Sequence, residues 1–142
     1  TMADCADIDA RLDMKMVKTL FLTDKRQAEH WLFITAGDKP FSSKNFSAAL
    51  GISRVSFASS EKLEQMMGSK IGGTSVLGAL FENSKEVQIV FDQNTLLDQW
   101  FGCSDGTAYS FLKLKTADLL EKILPFAKHD YKIITQTDTD KV

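Results

Sequence analysis

The chain is first narrowed by what it has little of. Its 142 residues include only two cysteines and two histidines. Cys5 and Cys103 lie far apart and match no zinc spacing, and His30 and His129 add no ligand-rich cluster, so no metal and no other cofactor is expected. No apolar run approaches the ~20 residues that span a bilayer, and no signal-peptide pattern precedes the first strand. The expectation is a cytoplasmic chain with reduced thiols and no membrane partner. A net charge of only −2 and a pI near 5.6 exclude a DNA-coating protein, and any nucleic-acid contact has to come from a local basic patch. There is no internal repeat, no low-complexity segment, and neither a P-loop nor a dinucleotide fingerprint. The chain opens on Thr1-Met2-Ala3 without a Met at position 1, so residues upstream are expected.

What is present, 44% hydrophobic and 25% charged residues, suits one compact domain over residues 1–142 with a real core. Ala3 to Leu12 places Ile8 and Leu12 at helical spacing among acidic residues. Met16 to Leu22 and His30 to Thr35 are apolar runs joined by the polar Thr23 to Glu29, a hairpin with a long loop. Phe41 to Asn45 enters a helix that runs to Leu50 and stops at Gly51; Ser59 and Ser60 start another, through Met67 to Gly68. Val76 to Phe81 reads as one or two helical turns, Val87 to Phe91 as a strand, and Asn94 as the cap of a brief helix through Trp100. Ala108 to Lys115 alternates as a strand, Thr116 opens a last helix, Tyr131 to Thr135 closes as a strand, and residues 136–142 form a polar tail. Irregular alternation of strands and helices favours an α+β domain with a mixed sheet.

Lys18 stands alone as a charge within Met16 to Leu22, on one strand face with Met16, Leu20 and Leu22. Pattern alone favours an edge-strand lysine that discourages aggregation, or one that snorkels to water. The alternative is a lysine held in a pocket that donates to a carbonyl or phosphate oxygen. Gly72-Gly73-Thr74-Ser75 is a turn ahead of a helix start, so its amides could converge on an oxygen. Two glycines are more often only a turn. Phe101 to Thr107 reads as a second polar turn, where Cys103 has no histidine placed near it and is better read as a packed cysteine. Ser56 to Ser59 reads as a strand end, and His129 as a surface histidine in a loop.

The order of these pieces adds more than any one of them. Lys18-Thr19-Leu20-Phe21-Leu22, His30-Trp31-Leu32, Ser53 to Ser59 and Gly72 to Leu80 follow one another as in the YbaK/prolyl-tRNA-synthetase-associated editing domain, which this chain resembles. Val87 to Phe91, Phe101-Gly102-Cys103, Leu112 to Thr116 and Asp118-Leu119-Leu120 extend the resemblance over nearly the whole chain, most closely to free-standing prolyl-tRNA editing proteins. The resemblance implies a mixed, partly barrel-like sheet flanked by helices, and a hydrolase that removes alanine or cysteine from mischarged prolyl-tRNA. It implies aminoacyl-tRNA, through its prolyl acceptor stem, as partner, with prolyl-tRNA synthetase beside it and a monomer or weak homodimer as the state.

Lys18 matches the family's active-site lysine, and Gly72 to Val76 its glycine loop, which often ends in proline where this chain has Val76. Several members carry a histidine and an asparagine where ungapped alignment puts Ser104 and Ala108, a change expected to alter the aminoacyl group read, or to weaken or abolish turnover. The implied catalytic set is Lys18, Gly73, Thr74 and Ser75; the implied substrate-binding set is Gly72, Val76, Ser56, Cys103 and Ser104, with no metal ligand. Lys15, Lys44, Arg54 and Lys70 are the basic residues available to an acceptor stem. Two rivals stay open: a catalytically silent tRNA-binding or regulatory homologue, and a small-molecule ester or amide binder on the same fold.

Overall fold

A computed structural model describes residues 16–135, so the expected N-terminal helix, Lys15, Cys5 and the polar tail lie outside the described residues. Two apolar runs pair first: β1 (Val17–Thr23) and β2 (His30–Ala36) are antiparallel, in register from Val17 opposite Ala36 to Thr23 opposite His30. Their loop is held by Asp24, whose carboxylate accepts from the amides of Ala28 at 2.8 Å and Glu29 at 3.1 Å. α1 (Ser43–Leu50) starts where the Ser42 hydroxyl accepts from the Asn45 amide and stops at Gly51, whose φ of 68° is left-handed. β3 (Ser56–Phe57) returns beside β1, at Leu22 and Thr23. α2 (Ser60–Met67) repeats the device, with Ser59 as N-cap and Gly68 as C-cap.

A 3-10 turn (Val76–Leu80) leads towards β4 (Val87–Asp92), which lies parallel to β2, and β7 (Tyr131–Ile134) lies parallel to β4. The result is a mixed five-stranded sheet of order β3-β1-β2-β4-β7. β5 (Trp100–Ser104) and β6 (Phe111–Lys115) form a separate hairpin, joined to the sheet by a parallel bridge between Met16 and Gly102. The fold is α+β and partly barrel-like, without a closed barrel among the described residues. The last helix is broken: α3 (Thr116–Asp118) widens into a π turn (Leu119–Ile123) before α4 (Leu124–Phe126). Pro125 has no N–H to return to the preceding turn, a natural place for the ladder to change register.

Each face of the sheet covers its own core. Phe21, Leu32, Ile34, Ile89 and Phe91 pack with α2, the Val76–Leu80 turn, β5 and the last helix. Leu22, Trp31, Phe33 and Val90 pack on the other face with Phe46 of α1 and with Val55. Both faces of β2 are thus buried, which explains why its sequence is apolar throughout rather than alternating.

Several expectations are corrected. Phe101 to Ser104 belongs to β5, and the turn is confined to the residues after it; Gly102 in that strand and the later Asp105-Gly106 imitate an earlier break. The helix expected from Asn94 through Trp100 is only a 3-10 turn, Gln93–Leu96, after which Trp100 starts β5. The strand expected from Ala108 begins at Phe111. His129 is buried rather than on the surface, with Nε2 at 3.0 Å from the Ser84 carbonyl, to which it donates.

Burial sets the pH response of the two histidines. It holds both His30 and His129 below the ordinary value of 6.5; the Lys62 charge adds to the effect at His30, while Asp24 there, and the Ser84 carbonyl and Asp130 at His129, oppose it. The unfolded chain therefore binds more protons, so their contribution is complete above about pH 6.5 and is lost as the pH falls through that value. Urea midpoints measured from pH 8 to pH 5 should decline, and His129→Gln should flatten the decline.

Candidate active site

The glycine loop acquires its shape from the turn it rests on. Gly72 takes a φ of 93°, and a Cβ on Gly73 would meet the backbone of Thr107 at 2.9 Å, so this contact requires glycine. The Gly73 amide donates to the Lys70 carbonyl at 2.9 Å and closes the turn. The Ser75 hydroxyl donates to the Ser104 carbonyl at 2.5 Å and accepts from the Leu77 amide, capping the 3-10 turn. From the other side, the Ser104 hydroxyl donates to the Thr107 carbonyl at 2.6 Å, accepts from the Gly106 amide at 3.0 Å and lies 3.4 Å from the Gly73 carbonyl. Asp105 completes the turn, accepting from both the amide and the hydroxyl of Thr107.

Between loop and turn lies a cavity of about 290 Å³, with Lys70, Ile71 and Gly73 on one wall and Thr107, Ala108 and Tyr109 on the other. The amides of Thr74 and Ser75, immediately after Gly73, meet no acceptor among the described residues. Among the residues that line the cavity itself, Ser69 has a buried hydroxyl without a hydrogen-bond partner among the described residues, and Lys70 brings an ammonium. Cys103 is buried beneath, and burial pushes its thiol up to about 11, against a smaller opposing effect of the Ser75 hydroxyl and with the Asp105 charge adding to it. It is a packed thiol, not a nucleophile. Val76 is fully buried in the same core.

Lys18 is half-buried and is not among the cavity's lining residues. Its Nζ donates to the Lys39 carbonyl at 2.5 Å, in the turn after β2. Burial lowers its pKa from the usual 10.5, and the carboxylate of Asp38 opposes that shift. Alternation sets Lys18 on the face of Leu20 and Leu22, opposite the face on which Val76 packs. The isolated parallel bridge between Met16 and Gly102 brings the start of β1 against β5. The structure gathers the Gly72 to Ser75 loop with Ser104, while Lys18 lies on the other face of the sheet with its ammonium on the Lys39 carbonyl. Ser56 is elsewhere, exposed and opposite Thr23, about 17 Å along β1 from Lys18. Lys70 lines the cavity, and Lys44 and Arg54 are exposed on and after α1.

One feature escaped the sequence reading. Lys39 Nζ and Asp92 Oδ2 form an ion pair at 2.8 Å with side-chain exposures of 5% and 0%, and the Thr35 hydroxyl donates to the same oxygen at 2.8 Å. Removing one member of such a pair typically costs about 3–5 kcal/mol, because the other is left buried and uncompensated. Asp92 at the end of an apolar strand was the available signal. Among the described residues no group of three or more His, Cys, Asp or Glu side chains is arranged to hold a metal, and no helix is long and apolar enough to cross a membrane.

Two outcomes check this geometry. Gly73→Ala should cost about 1–3 kcal/mol in urea denaturation, since the new Cβ must force the loop away from the Thr107 backbone. Iodoacetamide at pH 8 should leave Cys103 unmodified in the native protein and alkylate it after unfolding, as read by peptide mass spectrometry.

Comparison with known proteins follows the same lines. The family model "Aminoacyl-tRNA editing domain" matches residues 1–122. The prolyl-tRNA editing protein ProX of Acetoanaerobium sticklandii is 31% identical over 94 residues, a stretch that covers 66% of this chain and 57% of that protein. The match therefore spans little more than half the length of that curated relative. Among solved structures, a proposed trans-editing enzyme for prolyl tRNA synthetase superposes with a TM-score of 0.69 at 13% identity, covering 94% of this chain and 80% of the other. A scaffold protein used for epitope backbone grafting reaches 0.74 at 12% identity, covering 95% and 81%; these two likenesses concern the fold alone. With the family model running from the first residue into the last helix's π turn, the chain belongs to the aminoacyl-tRNA editing domain family.

Proposed function

We propose that this chain is an aminoacyl-tRNA deacylase that hydrolyses, in trans, the ester of mischarged prolyl-tRNA carrying alanine or cysteine. The observation that carries this reading is the glycine loop seated on the β5–β6 turn, which leaves the Thr74 and Ser75 amides without acceptors directly after a residue that lines a cavity. An aminoacyl ester is already activated. Its hydrolysis needs a placed water and hydrogen-bond donors aimed at the oxygen that gains charge. Thr74 and Ser75 amides and the Lys18 ammonium are those donors, and the ribose hydroxyl beside the ester positions the water. The Gly73 amide, already engaged by Lys70, acts on shape rather than on the ester.

Selectivity follows from space. At about 290 Å³ the cavity sits at the small end of ligand pockets and has room for an aminoacyl group, whose fit its walls would select, the logic of a second sieve. Gly72 and Ser104 border the space, Val76 and Cys103 support it from the core, and Ser56 drops out of the binding set by its distance. Lys70 at the cavity, with Lys44 and Arg54, offers the local positive charge an acceptor stem needs on a chain of net charge −2. Prolyl-tRNA synthetase is the source of the mischarged substrate.

A second reading, a silent tRNA-binding homologue, is favoured by one observation. The Ser104 hydroxyl is committed to its own turn, and Ala108 offers only a methyl group, so neither supplies an acid–base group at the cavity. The deciding experiment incubates the protein with prolyl-tRNA charged with alanine, cysteine or serine and follows amino-acid release. Deacylation of at least one is expected, and Lys18→Ala should slow it about 10²–10³-fold, the cost of losing one donor to the developing oxyanion. Because the donor is the ammonium form, the enzymatic rate above background should fall as pH rises through the lowered Lys18 titration, before an ordinary lysine would lose its proton. Binding of tRNA with release of no amino acid selects the silent homologue. Loss of both, with stabilisation by a small ester or amide, selects the small-molecule binder.

A further inference from the structure

The buried ion pair lies outside the cavity, yet it ends on the group that Lys18 touches. Thr35 faces Lys18 directly across the β1–β2 pair, and the Thr35 hydroxyl donates to Asp92 Oδ2. The same oxygen accepts from Lys39 Nζ, and the carbonyl of that same Lys39 accepts from Lys18 Nζ. An ammonium therefore hangs from a residue whose own side chain is anchored inside the protein. Lys39 is held on the sheet by a charge pair that is almost wholly excluded from water, and a Lys39-to-Ala36 backbone bond closes the turn around it, in which Ala36, Gly37, Asp38 and Pro40 are exposed or half-exposed. Asp92 Oδ1 has no hydrogen-bond partner among the described residues. A buried carboxylate with one oxygen unsatisfied is a costly feature for a fold to keep merely to close a turn.

We propose that Asp92 is a positioning residue for Lys18: by anchoring Lys39 in the buried pair it fixes the carbonyl to which the Lys18 ammonium donates, and so fixes where that ammonium points. The proposal rests on the deacylase reading for its catalytic consequence, and on the geometry alone for the Lys39-to-Lys18 link. Thr35 serves the same end by orienting the carboxylate. Asp38, in the same turn, is a charged group whose field reaches Lys18 directly and opposes the effect of burial there. The catalytic groups remain those that touch the ester; Asp92 acts through Lys18.

The test compares Asp92→Asn with the double variant Lys39→Met/Asp92→Leu, which removes both charges, leaves neither buried alone and so keeps the fold. Acetic-anhydride competition labelling across pH, read on the Lys18 peptide by mass spectrometry, follows the Lys18 titration without requiring activity. In both variants the turn loosens and Lys18 gains water, so its titration should move up towards that of an ordinary lysine. In the deacylation assay kcat should fall about 10–100-fold with KM unchanged, the scale of a misplaced catalytic group, and the same variants should bring no further loss in a Lys18→Ala background. An unchanged Lys18 titration in the double variant overturns the proposal, as does an equal loss of kcat with and without Lys18. If the wild-type protein releases no amino acid, the deacylase reading fails, and the labelling result alone decides the link.

Discussion

Strand β2 is buried on both faces from His30 to Thr35, and its neighbours are arranged to satisfy it. Its backbone groups need partners on two sides, supplied by β1 in antiparallel and β4 in parallel register. Its side chains need cover above and below, supplied by two separate apolar clusters. Polar side chains at the ends of such a strand have to be paired or stacked, since an unpaired polar group in this setting is costly. Thr35 at one end donates to Asp92, whereas His30 at the other stacks on Phe21 with ring centroids 5.4 Å apart and keeps a buried Nε2 without a hydrogen-bond partner among the described residues. The burial that organises the fold thus also creates the place where a lysine and an aspartate can pair away from water.

The site is assembled at the seam between the sheet and the β5–β6 hairpin. Two serines do the joining: Ser75 caps its own turn while donating to the Ser104 carbonyl, and Ser104 ties the far turn together with its hydroxyl. Their hydroxyls are thereby committed to architecture, which leaves the Thr74 and Ser75 amides and the Lys18 ammonium as the polar groups of the proposed chemistry. That division suits the hydrolysis of an activated ester, where orientation and charge stabilisation contribute more than a strong base.

Much of the fold was legible because caps and periodicity are local. Ser42 and Gly51, Ser59 and Gly68 bound their helices by hydrogen bonds and left-handed φ values that involve only near neighbours. β5 was not legible, because Gly102 weakens its strand signal and its pairing with β6 is a contact made across a turn. The burial of His129 is not legible either, because a short stretch after a helix carries no sign of Ser84, 45 residues away. Of the candidate site, the order of motifs along the chain pointed to the glycine loop and to Lys18, of which the loop lines the cavity through Gly73 and Lys18 does not. Which amides of that loop are engaged could not, since the Gly73-to-Lys70 bond depends on the turn actually formed.

What the sequence determined by itself was therefore local chemistry: cap residues, strand periodicity, a solitary lysine, and two glycines where the backbone must turn or pass closely. What only the tertiary structure decided was company. Lys39 and Asp92 are 53 residues apart, Ser75 and Ser104 are 29 apart, and nothing in either neighbourhood announces its partner. The physical reason is that pairing across a sheet or a seam is set by register and burial, which belong to the folded chain as a whole. Lys18 shows both halves: its position in an apolar strand was plain in the sequence, but the carbonyl that holds it, and the buried aspartate behind that carbonyl, exist only once β1, β2 and β4 lie side by side.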